Sequence, residues 1–231
     1  MKLPLSDRLL ACAGFVHPGD RVADIGCDHG YLGIYLLKNG IASSMIESDI
    51  HEGPLQSALR NACKYGVADK MTFHLSDGVN MIPRDFDTLV CAGMGGDTMI
   101  HILQQAPWLH NDRYRLILQC QSKSPILRQY LSDNGWYIAR EAVLKDGKFL
   151  YTIMEVVWDP LSPRLTTAQT YISPALLQEK NEALGEYFQR ITDGLRLAVE
   201  HQQDTQKQAI LQELESTGLT YEGSELHEHS I

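Results

Sequence analysis

The stretch Val22-Ala23-Asp24-Ile25-Gly26-Cys27-Asp28-His29-Gly30-Tyr31 decides the fold. An apolar, β-forming run meets a glycine-bearing turn, and the residues after it, Tyr31 to Lys38, carry a helical period. Gly26 suits the tight turn, and Gly30 lets the start of the helix approach a ligand closely. Strand, turn and helix in this order open many nucleotide-binding α/β sheets. The same turn serves several nucleotides as well as plain strand-to-helix packing, so the neighbouring segments have to decide.

Outward from this unit the chain keeps alternating. Strand candidates at Arg21 to Ile25, Ser44 to Ser48, Met71 to Leu75, Thr88 to Cys91 and Arg115 to Gln119 are separated by helix candidates. The helices are expected at Tyr31 to Lys38, Pro54 to Tyr65, Asp97 to Gln104 and Ser124 to Asn134, with Gly40, Gly66 and Gly135 placed to end three of them. After Trp136 the pattern changes to two β-rich runs, Tyr137 to Leu144 and Phe149 to Trp158, joined across an Asp146-Gly147 hairpin signal. The expected fold is therefore α/β and Rossmann-like: a mainly parallel seven-stranded sheet ending in an antiparallel hairpin, as in class I methyltransferases.

Pro160, Pro163 and the threonine-rich stretch to Thr170 read as a linker. Beyond Pro174, Leu177, Leu184, Phe188, Ile191, Leu195 and Val199 recur as a coiled-coil-like seam, and Thr205 to Glu215 forms a second short helix, an αα-hairpin. The expected division is a catalytic domain over 1–160, an α-helical coiled-coil-like appendage over 161–222 and a flexible tail over 223–231. His227 and His229 in that tail look metal-like, but their place at a chain end favours disorder over metal binding.

Composition sets bounds. The 231 residues suffice for one α/β domain of about 150 residues and a smaller unit. With 44% apolar and 21% charged residues the chain has an ordinary globular composition, and its net charge of −9 counts against a protein that is basic all over. No run of about 18 apolar residues and no leader-like N-terminus occurs, which points to the cytoplasm and away from a membrane. Cys12, Cys27, Cys63, Cys91 and Cys120 are odd in number and widely spaced, so reduced, mostly buried thiols are expected rather than disulfides or zinc ligands.

Charge discriminates between cofactors. Asp24 stands before the turn, where a carboxylate can hold the ammonium of a methionine moiety, whereas a dinucleotide turn must leave room for an anionic pyrophosphate. That favours S-adenosylmethionine over NAD. Asp49, 23 residues after Gly26, can accept hydrogen bonds from ribose hydroxyls, a role that suits NAD equally. Asp77, followed by Gly78, can accept an adenine amino group, or can stand in a solvated turn. Cofactor contacts are thus expected from Asp24, Gly26, Cys27, Asp28, Gly30, Asp49, Asp77, Gly78, Gly93 and Met94.

The fourth strand ends in Cys91-Ala92-Gly93-Met94-Gly95-Gly96-Asp97, a glycine-rich loop against which a flat base could slide. The Asn/Asp-Pro-Pro-aromatic motif of many base-N methyltransferases is absent. A ring nitrogen carries its own lone pair, so catalysis needs alignment and carboxylates that stabilise the cationic product. Asp28, His29 and Asp97 are the catalytic candidates. His29 could instead line the turn, and Asp97 could cap a helix.

Asp24-Ile25-Gly26-Cys27-Asp28-His29-Gly30-Tyr31-Leu32, Glu52-Gly53-Pro54-Leu55-Gln56-Ser57-Ala58 and Ala92-Gly93-Met94-Gly95-Gly96 together resemble the bacterial TrmK family of tRNA (adenine-N1)-methyltransferases acting on adenosine 22. The resemblance spans essentially the whole chain, including Leu5 to Leu10 and the helical tail. It implies an S-adenosylmethionine site in which Asp24, Gly26, Asp28 and His29 form the first motif, Asp49 the ribose contact, Asp77 the adenine-side contact and Gly93 to Gly96 the floor beside the methyl group. It also implies a tail that helps to hold tRNA. Gly30 and Gly33 depart from the Ala and Pro of many relatives, which loosens the first helical turn.

An RNA substrate needs cations for its phosphates, and Lys2, Arg8, Lys123, Arg128, Arg190 and Arg196 are the candidates. A flipped base could stack on Tyr31 or Trp108. The rival readings are a small-molecule methyltransferase with a helical dimerisation tail, an NAD-dependent oxidoreductase and a non-catalytic RNA-binding module. The expected assembly is a monomer or weak dimer without metal.

Overall fold

The computed structural model describes residues 3–179, 183–202, 204–217, 219–222 and 225–228. Seven strands, β1 (Arg21–Ile25), β2 (Ser44–Asp49), β3 (Met71–Leu75), β4 (Thr88–Gly95), β5 (Arg115–Ser122), β6 (Trp136–Asp146) and β7 (Phe149–Trp158), form one sheet in the order β3-β2-β1-β4-β5-β7-β6. β1 to β5 are parallel, and β7 runs antiparallel to both β5 and β6. This is the expected parallel sheet with a terminal hairpin. The order reverses between β1 and β4, the switch point at which open α/β sheets bind ligands beyond their carboxyl ends.

Strand alternation builds two cores. Val22, Val90 and Ile117 face one side, packed with Cys12 and Ala13 of α1 (Asp7–Ala13), Leu32, Ile34 and Leu36 of α2 (Tyr31–Lys38) and Ala62 of α3 (Glu52–Tyr65). Ile25, Leu89, Leu116 and Leu118 face the other, against Met99 of α4 (Gly96–Gln104) and Leu127 of α5 (Ser124–Asp133). Central strands buried on both faces read as continuous apolar runs, which is why the sequence locates them well. Helix α1 was not expected. Its signal is Ser6, whose hydroxyl accepts from Leu9 N at 3.3 Å as an N-cap.

Part of the presumed linker is helical. Thr166 and Gln169 form a capping box that starts α6 (Thr167–Tyr171), followed by α7 (Pro174–Gln178), α8 (Leu184–Gln202) and α9 (Thr205–Glu215). Leu184, Phe188 and Leu195 of α8 share one apolar cluster with Ile210 and Leu214 of α9, Ala168, Ile172, Leu176 and Val143 of β6. The seam therefore rests on the sheet. Leu176, fully buried, takes the place expected for Leu177, which is 38% exposed, because α7 packs directly on β6 and takes its register from it.

Arg128 ties these parts together, and this corrects its reading as a phosphate contact. It is fully buried and holds Glu141 of β6 through Nε and Nη2, the latter at 2.7 Å. Its Nη1 donates to the Thr170 and Tyr171 carbonyls at 2.7 and 3.0 Å, while Ser173, the N-cap of α7, donates to Glu141.

β8 (Leu219–Glu222), at the end of the appendage expected to be helical, pairs antiparallel with β9 (Glu225–Glu228), which falls within the tail expected over 223–231. His227 falls in β9, and His229 lies outside the described residues. Among the described residues no group of side chains could hold a metal ion, and no helix is long and apolar enough to cross a membrane. All five cysteines are free thiols, with Cys63 exposed and the other four buried.

Candidate functional site

β1 to β4 end at one edge of the sheet. At the tip of β1, Asp24 is 4% exposed, and none of the hydrogen bonds of the described residues ends on its carboxylate. Burial, and then the Asp49 carboxylate beside it, push its pKa well above the usual carboxylate range. Asp49, at the end of β2, is held from both sides: Oδ1 accepts from His51 N at 2.9 Å and Oδ2 from Asp28 N at 3.3 Å.

The turn after β1 is shaped by close approach. Gly26 lies at φ +76°, and a Cβ there would stand 2.6 Å from Cε of Met94, so the two motifs touch. The N–H groups of Gly26 and Cys27 both donate to Ser48 O, so these residues offer a ligand their shape and not their donors. Asp28 adopts φ +51°, left-handed backbone that an aspartate tolerates better than most residues. Gly30 is the left-handed N-cap of α2. The Asp28 and His29 side chains are more than half exposed, with His29 Nε2 3.7 Å from Asp28 Oδ1 and the His29 ring 5.8 Å from that of Tyr31.

Beneath the turn lies a residue that the sequence reading missed. Glu47 of β2 is fully buried, and neither carboxylate oxygen has a hydrogen-bond partner. Burial, and then Asp24, push its pKa well above the usual carboxylate range; burial and then Glu47 likewise push up the Cys27 thiol, which packs with Leu55 and Ala58. Gly33 of α2 makes the room, since a Cβ there would overlap the Glu47 carboxylate. Gly33→Ala is therefore expected to lower the melting temperature. Overpacking costs about 1–3 kcal/mol, against the roughly 1 kcal/mol that helix propensity returns; a higher melting temperature would refute this packing.

At the third tip, Asp77 is exposed, and the Ser48 and Ser76 hydroxyls both donate to Gly78 O, at 3.4 and 3.0 Å. At the fourth, β4 continues through Gly95 with an irregular register against β5 between Ala92 and Gly95. The glycines thus form a bulged strand end rather than a free loop, with Gly93 at φ +80° donating its N–H to Oε1 of the buried Gln119 at 2.8 Å. Gly95, not Asp97, is the N-cap of α4; Asp97 lies in the first turn and ion-pairs with Lys123. Trp108 packs on Phe86 and Tyr114 just before β5 begins, at the opposite edge of the sheet, so of the two stacking candidates only Tyr31 stands near the site. Glu47 and Gln119 had a sequence signal after all: each is a polar residue inside an apolar buried strand.

A buried carboxylate without a donor suits an ammonium group, and an adjacent, rigidly held carboxylate suits hydroxyls. Such a pair fits S-adenosylmethionine and would repel a pyrophosphate. Comparison with known proteins agrees with that chemistry. The family described as "Methyltransferase domain" matches residues 5–154. The tRNA (adenine(22)-N(1))-methyltransferase of Bacillus subtilis (strain 168) is 31% identical over 188 residues, covering 78% of this chain and 78% of that protein. The crystal structure of the B. subtilis m1A22 tRNA methyltransferase TrmK matches with a TM-score of 0.78 at 28% identity, over 93% of this chain and 96% of that one. A Streptococcus pneumoniae protein solved in complex with S-adenosyl-L-methionine matches with a TM-score of 0.81 at 30% identity, over 91% and 99% of the two chains. Sheet order, the acidic strand tips and a likeness that runs on into the helical tail agree on one assignment: the chain belongs to the TrmK family of tRNA (adenine(22)-N(1))-methyltransferases.

Proposed function

We propose that this protein methylates N1 of adenosine 22 in tRNA, using S-adenosylmethionine. The observation that carries the reading is the buried, unpartnered Asp24 carboxylate beside Asp49 at the switch point of the sheet. Asp24 would hold the methionine ammonium, Asp49 the ribose hydroxyls and Asp77 the adenine amino group, while Gly26, Cys27, Gly30, Gly78, Gly93 and Met94 shape the walls. When bound, the cofactor supplies a methyl group already activated on a sulfonium.

The protein's own task is alignment and charge. Asp28, solvent-facing beside His29, can stabilise the positive charge that develops on the methylated ring. Asp97 contributes less, because Lys123 already offsets its charge. The working arrangement is a catalytic domain over 1–160 with a helical unit over 161–222, acting as a monomer or weak dimer on tRNA in the cytoplasm. Methyl transfer from radiolabelled cofactor to unmodified bacterial tRNA, followed by nucleoside analysis, tests this reading. Label in 1-methyladenosine at position 22 is expected; cofactor binding without transfer to tRNA would point to another methyl acceptor.

A further inference from the structure

The six basic residues offered for RNA phosphates fare differently in the structure. Lys2 lies outside the described residues. Arg128 is buried against Glu141, Lys123 pairs with Asp97, Arg190 with Glu186, and Arg196 with Asp193 and Glu215. Arg8 is left with no carboxylate within ion-pair distance among the described residues, in a chain where carboxylates outnumber basic side chains 29 to 20.

Its position is specific. Arg8 projects from α1 to the bulged end of β4, and both Nη atoms and Nε2 of Gln121 lie 3.6 Å from where a Cβ on Gly93 would stand. Its Nε is buried without an acceptor, and its guanidinium lies 5.9 Å from the centre of the Tyr151 ring. Nε2 of the buried Gln119, whose Oε1 holds Gly93 N, also lacks a partner. Strand alternation explains the convergence: Leu116, Leu118 and Cys120 face α4 and α5, so Ile117, Gln119 and Gln121 face α1. Unsatisfied donors are costly in a folded protein unless a ligand supplies the acceptor.

We propose that Arg8, with Gln121 beside it, binds a backbone phosphate of the nucleotide whose base is presented for methylation, making Arg8 a substrate-positioning residue. A phosphate fits better than the base itself. Methylation of a ring nitrogen leaves a positive charge, which a guanidinium on the base would oppose, whereas a phosphate is anionic and accepts several donors at once. This rests on the tRNA reading above.

The test compares wild type, Arg8→Ala, Arg8→Gln and Arg8→Lys for S-adenosylmethionine Kd, kcat and KM toward tRNA, and the salt dependence of tRNA binding. Arg8→Ala is expected to leave cofactor Kd within about two-fold and to lower kcat/KM for tRNA roughly ten- to a hundred-fold, as for loss of a charge-assisted hydrogen bond. The salt slope of tRNA binding should fall by about one, and Arg8→Lys should restore part of the affinity. Unchanged kcat/KM and salt slope, or a loss of cofactor affinity matching the loss of activity, would overturn the assignment of Arg8. If Arg8→Ala does not fold, Arg8→Gln, which keeps the buried stem but not the charge, gives the same readout. A wild type inactive on tRNA would overturn the tRNA reading and this inference with it; an active wild type with an indifferent Arg8 would overturn this inference alone.

Discussion

Glu141→Ala is expected to destabilise the protein by about 3–5 kcal/mol, the usual cost of stranding one member of a buried ion pair. Arg128 is wholly enclosed, and Glu141 carries its only counter-charge among the described residues. Without it the guanidinium keeps two carbonyl acceptors, Thr170 O and Tyr171 O, and a 3.4 Å approach to the Tyr187 hydroxyl. Ser173 loses the acceptor for its own proton. Replacing both partners, Arg128→Leu with Glu141→Leu, removes the buried charge but leaves the two carbonyls at the end of α6 without a donor. The double variant should therefore recover only part of the loss. Urea titration measures all three proteins. A single variant within about 1 kcal/mol of wild type, well below the buried-pair cost, would show that the pair is not closed off from water.

The second large effect concerns Asp24. Asp24→Asn should weaken S-adenosylmethionine binding roughly ten- to a hundred-fold, since a charge-assisted hydrogen bond contributes about 1.5–3 kcal/mol. The pH dependence is the sharper readout. Burial and the neighbouring Asp49 raise the Asp24 pKa in the free protein, so at mildly acidic pH the group is protonated and must release its proton to meet an ammonium. Affinity should rise with pH until Asp24 is ionised in the free protein, then level off, and fall once the cofactor's own amino group loses its proton near its ordinary value of about 8. For folding the sign is opposite. A carboxyl whose folded pKa is raised favours the folded state at low pH, and that contribution is lost as pH climbs through the folded value. Calorimetric titration across pH, in buffers of different ionisation enthalpy, reads proton release directly. A pH-independent Kd between pH 5 and 7, as an order-of-magnitude window above the ordinary carboxylate value, would remove Asp24 from this role.

Much of the fold was legible because buried parallel strands and glycine stops are local signals. The strand Arg21 to Ile25, the helix Tyr31 to Lys38 and the hairpin about Asp146-Gly147 are local in this sense, and each stands where the sequence put it. The features that escaped depend on partners distant in sequence. Arg128 read as a phosphate contact because nothing nearby announces that Glu141, 13 residues on, would enclose it from β6. Leu176 outranks Leu177 because α7 is a separate short helix on the sheet, which a heptad count begun within it cannot anticipate. At the site, the acidic strand tips were visible, while Gln119 and Glu47 passed as strand residues because their neighbours are apolar. Helix α6 was hidden by its threonines and the preceding prolines, although Thr166 and Gln169 spell a capping box.

The Arg128 junction also bears on inheritance. Its charge balance lies within the catalytic unit, in Glu141, but its remaining acceptors lie in the helical unit, in the carbonyls of Thr170 and Tyr171. A tail exchanged with a protein that has another residue in place of Arg128 would deliver a backbone shaped around that residue, and a front exchanged with such a protein would strand the tail's carbonyls. The two halves can diverge in their surfaces, but at this junction a change in one half has to be matched by a change in the other.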